Sequence, residues 1–177
     1  MVPTLITIGI IVVLLTAILG YAASKPDAFR VQRSATMKAP PEKIFPLIND
    51  FHNWVSWSPW EKLDPLMTKT HGGAASGRGA VYEWEGNKQV GKGRMEILEE
   101  SIPSKVRIKL DFFKPFEAHN TAEFTLAGRG EFTDINWVMD GTQPFMFKVM
   151  SVFLNLDKMI GKDFEAGLAN MKSIVEK

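Results

Sequence analysis

The 177-residue chain contains no cysteine. That excludes disulfides, thiol nucleophiles and thiolate-held metals. Histidine is scarce, with three residues, and no two stand at metal-ligand spacing. His-Glu-x-x-His, a phosphate loop ending in Gly-Lys-Ser/Thr, and a nucleophile elbow are all absent. An excess of one charge sign is lacking too. Lys and Arg number 21 against 20 Asp and Glu, which leaves a net charge of +1 and no basic run suited to nucleic acid.

What the chain does have is apolar and aromatic. Residues 5–23 carry no charge. At about 1.5 Å per residue they span roughly 28 Å, close to a hydrocarbon core. A transmembrane anchor is the leading expectation, with residues 1–28 as anchor and exit linker. A cleaved signal peptide is the alternative. No Lys or Arg precedes the run, which counts against it, while the small residues of Gly20-Tyr21-Ala22 resemble a cleavage site. Lys25, Arg30, Arg33 and Lys38 follow the span, so the positive-inside bias places the remaining domain on the cytoplasmic side.

Residues 29–177 are enough for one domain with its own core. Phe29, Val31, Ala35 and Met37 alternate along a first strand, interrupted by Arg33. Arg33 reads as a bulge, a charge at a cavity end, or a strand end facing water. Pro40-Pro41-Glu42 opens a short helix, with an acid near its positive end. Trp54, Trp57 and Trp60 then recur every third residue, a spacing that gathers them on one side of a helical turn. They form either a hydrophobic plug or a ligand clamp. The glycine-rich stretch 71–79 reads as a turn.

Five alternating segments follow between residues 80 and 140. Their inward sets begin with Ala80, Tyr82 and Trp84, then Gly91, Gly93, Met95 and Ile97. Val106, Ile108, Leu110 and Phe112 come next, followed by Phe116, Ala118, Asn120, Ala122, Phe124 and Leu126. Thr133, Ile135, Trp137 and Met139 complete the face. Such alternation predicts an antiparallel sheet with one buried and one wet face. Ile160, Phe164, Leu168, Met171 and Val175 then mark one stripe of a long helix. Gly161 and Gly167 lie beside the stripe and predict close approach of a strand or ligand.

The order of these elements resembles the helix-grip arrangement of the SRPBCC superfamily, which includes START lipid-transfer and birch-pollen-allergen-like proteins. The details are most similar to its bacterial polyketide cyclase/dehydrase-like group. The resemblance rests on Ala39-Pro-Pro-Glu-Lys-Ile-Phe45, Trp54-x-x-Trp57-Ser-Pro-Trp60 and Gly79-Ala-Val-Tyr-Glu-Trp-Glu85. Ala118-His-Asn-Thr-Ala-Glu-Phe124 and Trp137-x-Met-Asp-Gly141 add to it. It implies an α+β fold: a curved antiparallel sheet wrapped on a long C-terminal helix, with two short helices after the first strand. Superfamily members include ligand carriers, cyclases and chaperone regulators.

The expected function is a membrane-tethered domain whose cavity binds a hydrophobic small molecule or lipid. A filled core without a cavity is the alternative structure. The candidate ligand-binding set takes Trp57 and Trp60 from the tryptophan segment and Tyr82, Trp84, Met95 and Phe112 from the first strands of the sheet. Asn120, Phe124 and Trp137 come from the last two strands, Phe164 and Leu168 from the helix. Apolar walls with a few orienting polar groups suit binding. No cofactor, metal or catalytic residue is expected, because Glu83, Glu85 and Glu123 fall on the outer face by parity. His52, His71 and His119 read as structural or surface residues. A cyclase or dehydratase would need an acid or base inside the pocket. A protein-interaction module would need an apolar outer sheet face, whereas those residues are mostly charged. Residues 145–156 carry apolar residues on more than one helical face. They predict either a lid that dips into a membrane interface or a second face covered by the tryptophan cluster.

Overall fold

The structure is a computed structural model describing residues 2–177. Residue 1, which opens the expected anchor segment 1–28 and bears the α-amine, lies outside the described residues. The apolar run forms helix α1 (Val2–Ser24), of which Ile6–Ser24 is long and apolar enough to cross a membrane. Ile6, Val13, Leu15 and Leu19 stand exposed on it. The Thr16 hydroxyl donates to the Val12 carbonyl at 2.8 Å, so that polar group is satisfied inside the helix.

Seven antiparallel strands make one sheet in the order β1-β7-β6-β5-β4-β3-β2. They are β1 (Ala28–Met37), β2 (Thr68–Gly73), β3 (Ala80–Glu85), β4 (Lys92–Ser101), β5 (Lys105–Lys114), β6 (Ala118–Arg129) and β7 (Phe132–Thr142). From β2 to β7 each strand pairs with the next, and β1 closes onto β7. The inward residues alternate as the sequence predicts, so Ile97, Ile108, Phe124 and Ile135 are fully buried. Gly91 and Phe116 lie just outside their strands.

β2 corrects the expectation of a turn over 71–79. Its sequence Thr-Lys-Thr-His-Gly-Gly has no apolar alternation, because this edge strand faces water along most of its length. Only residues 74–79 turn the chain.

Helix α2 (Pro41–Asn49) buries Ile44, Phe45 and Ile48. Helix ends leave carbonyls without intrahelical partners. Here the Trp57 indole N–H donates to the Leu47 carbonyl at 2.7 Å, and the Trp54 indole to that of Ile48 at 3.0 Å. Asn53 Nδ2 donates to the Pro46 carbonyl at 2.9 Å. The tryptophan segment, two short 3₁₀ turns, is therefore stitched onto the end of α2.

Helix α3 (Phe145–Phe153) and helix α4 (Leu156–Val175) end the chain. Asn155 caps α4 by accepting from the Lys158 backbone N–H at 2.9 Å. The α4 stripe of Phe164, Leu168, Met171 and Val175 packs on the sheet. Arg33 makes neither a bulge nor a strand end in water. The β1–β7 register runs unbroken past it. Its guanidinium reaches across to α4, 3.0 Å from Asp157 and 2.7 Å from Glu165. It passes over Gly161, where a Cβ would lie 1.9 Å from an Arg33 nitrogen. α3 follows neither expected arrangement in full. α1 packs against it and buries Ala22. Phe147 meets Phe116 edge-on at 5.6 Å, while Phe145 and Phe153 remain exposed.

Candidate functional site: an apolar cavity between sheet and helix

Between the inner sheet face and α4 lies a cavity of about 330 Å³. It exists because the inward row of β6 narrows to Ala118, Asn120 and Ala122, where small side chains leave space under the helix. On the floor, Trp84 lies across Gly93, where a Cβ would come within 2.4 Å of the indole. Trp137 stacks flat on Phe164 at 3.9 Å and 3°. Trp60 meets both rings edge-on, at 5.8 and 6.3 Å.

Of the candidate residues, Trp60, Tyr82, Trp84, Met95, Phe112, Asn120, Trp137 and Phe164 line the cavity. Trp57, Phe124 and Leu168 do not; they are packed in the solid core beside it. Trp57 sits among Trp54, Phe124 and Trp137, with ring centroids at 4.7, 6.2 and 5.6 Å. Parity places a side chain on the inner face and does not say whether a neighbour already fills the space above it.

The cavity also holds groups that sheet parity cannot reveal. Glu61 and Asp163 both border it, from the second 3₁₀ turn and from α4. Glu61 accepts from the Tyr82 hydroxyl at 2.6 Å and pairs with Lys69. Burial, then the Glu61 carboxylate, pushes the Tyr82 hydroxyl well above the usual phenol range. Among the described residues Asp163 has no hydrogen-bond or ion-pair partner, and burial raises its carboxyl above the ordinary range. The helical stripe held a signal for it, since Asp163 falls three residues after Ile160 and beside Phe164.

The Trp84 indole N–H is satisfied by the Val90 carbonyl at 2.9 Å. Among the described residues, the Trp137 indole N–H and the Asn120 side-chain oxygen are buried without partners. The histidines stand elsewhere. His119 bonds Asp111 at 2.8 Å on the outer face, and that contact raises the His119 pKa. His52 and His71 stack on each other at 4.1 Å. No cluster able to hold a metal occurs among the described residues.

The mouth is marked by the exposed lining residues. Gln89, Lys114, Pro115, Phe116 and Thr142 are exposed, and Phe147 of α3 stands over them. The cavity therefore opens between the β3–β4 and β5–β6 turns and α3, at the end of the domain where α1 enters.

A seven-stranded sheet gripping a C-terminal helix around such a cavity defines the helix-grip class, the SRPBCC fold. The sequence matches the family described as polyketide cyclase / dehydrase and lipid transport over residues 28–176, and the chain belongs to that family. No curated protein matches it in sequence. Among solved structures it is similar to a Chromobacterium violaceum protein, with a TM-score of 0.60 at 16% identity over 86% of this chain and 99% of that one. A major latex-like protein from Panax ginseng has a TM-score of 0.60 at 11% identity, covering 85% of this chain and 99% of that one. The Aha1 dimer from Colwellia psychrerythraea has a TM-score of 0.59 at 13% identity, covering 84% and 96%. These likenesses show the fold.

Proposed function

We propose that the chain is a membrane-tethered binding domain for a hydrophobic small molecule or a single lipid chain. In this reading residues 1–28 are anchor and exit, and residues 29–177 hold the cavity. The observation that carries it is the cavity itself, walled by aromatic and aliphatic side chains and open at one end. Its size limits the ligand. An engineered cavity of about 150 Å³ takes one benzene, so about 330 Å³ takes on the order of a dozen carbon atoms. A two-chain phospholipid exceeds that volume. One acyl chain segment or a small ring system fits, with any larger polar part left at the mouth. The family description, which includes lipid transport, supports the same reading.

Titration with a fluorescent fatty acid tests it. The native protein is expected to bind with saturation, and Ala122→Phe, which fills the cavity from β6, is expected to abolish binding while the variant stays folded. Equal binding by both proteins would contradict the proposal.

A second reading is favoured by one observation, the unpaired Asp163 carboxyl facing an apolar space. Such a group is suited to giving a proton to a bound substrate. Apolar cell extract incubated with native protein and with Asp163→Asn separates the readings. A product formed only by the native protein favours the acid.

A further inference from the structure

We infer that the free face of α3 is a bilayer-contact surface, so that the cavity mouth opens onto lipid and not onto water. This rests on the reading of α1 as membrane-inserted, and it adds where the bilayer meets the domain and how ligand reaches the cavity.

The nine residues of α3 contain one charge, Lys148. That charge is turned inward and buried. Its ammonium donates to the Lys25 carbonyl at 3.0 Å and pairs with Asp27. Lys25, the first charge after the apolar run, donates in turn to the Ser151 carbonyl at 2.6 Å and the Ser151 hydroxyl at 2.9 Å. The point where α1 leaves the hydrocarbon is thus bonded to the middle of α3. That fixes α3 at headgroup depth, alongside the exposed ring of Tyr21.

With Lys148 turned away, the outward side of α3 carries no charge. Phe145, Met146 and Phe153 are exposed on it, and Leu154 is exposed where the helix ends. Large apolar side chains exposed together on one side of a helix mark an interaction surface. Continuity with α1 selects the occupant. The patch begins where the spanning helix ends, and a helix in the interface lays its apolar side about 5–10 Å into the headgroup boundary. Methionine and phenylalanine suit fluid acyl chains, since flexible side chains repack around varied neighbours.

The same elements form the mouth. Phe147 of α3 packs edge-on against Phe116, and both line the cavity. Phe113, at the end of β5, is exposed close to that rim. An apolar ligand therefore passes between bilayer and cavity by displacing the Phe116–Phe147 pair, without crossing water.

The absence of native cysteine permits single-site labelling of the full chain in vesicles of phosphatidylcholine and phosphatidylglycerol. A fluorophore is placed through Val13→Cys on α1, Phe153→Cys on α3, or Glu131→Cys. The last lies at the far end of the sheet, because β1 pairs Ala28 with Thr142 near α1 and Met37 with Thr133 at the other end. Nitroxide-labelled lipid is expected to quench the labels at 13 and 153 several-fold more than the label at 131. Quenching at 13 with no excess at 153 over 131 would overturn the inference and leave the tether standing. No quenching at 13 would overturn the tether and this inference with it.

Discussion

Asp163 reports most directly on the cavity, because it has no hydrogen-bond or ion-pair partner among the described residues. Burial raises its pKa above the ordinary value of 3.8. An acid raised in the folded state loses stability as pH climbs from its unfolded value through its folded one, and the loss persists above that. Asp163→Asn is therefore expected to raise the melting temperature at pH 7, with the gain vanishing below the ordinary aspartate range. A thermal melt series across pH checks this. The two tryptophans Trp57 and Trp60 divide the labour differently. Trp57 is fully buried in the core, so Trp57→Ala is expected to cost about 3–5 kcal/mol. Trp60 lines the cavity and is partly exposed, so Trp60→Ala is expected to leave the fold intact and weaken ligand binding. Denaturant melts and a binding titration on both variants separate the roles. The periodic inner sheet face made six wall residues legible in advance, and the tryptophan spacing and the α4 stripe added Trp60 and Phe164. Glu61 escaped because it falls off the tryptophan spacing in an irregular turn, and Trp57, Phe124 and Leu168 were placed in the wall because spacing and periodicity do not report packing depth.

The elements meet where side chains are missing. Gly167 lets α4 descend onto two indoles, and a Cβ there would lie 3.0 Å from Trp137 and 3.3 Å from Trp57. Trp57 is enclosed in the core and Trp137 is stacked flat on Phe164, so Gly167→Val is expected to destabilise by about 1–3 kcal/mol through overpacking. A urea melt measures it, and an unchanged midpoint would mean the helix lies further from the sheet than described. The sequence marked both α4 glycines as sites of close approach, since glycine weakens a helix without such a reason. It did not show that the approach at Gly161 is by Arg33. That contact joins residues 33 and 161 across the fold, and strand periodicity alone reads the arginine as a break in the apolar face. β2 was invisible for the opposite reason, because a solvated edge strand has no apolar pattern to detect. α3 was legible as an apolar surplus, while the partner for its second face, α1, lay at the other end of the chain.

At the scale of the whole molecule, α1, α3 and the cavity mouth fall together at one end. The outer sheet face carries ion pairs such as Arg94–Glu96 at 2.8 Å and Lys105–Glu123 at 3.0 Å, which suit it to water. Polarity is thus segregated: a wet sheet face, an apolar interior, and an apolar end beside α1. That arrangement suits exchange of an apolar molecule with a membrane better than chemistry in solution. The most direct test is native mass spectrometry of the full chain purified from the cells in which it is made, beside Ala122→Phe treated alike. The native protein is expected to retain one apolar molecule with a single chain or small ring system, and the filled variant to lose it. A ligand-free mass for the native protein, identical in behaviour to the variant, would contradict a binding cavity.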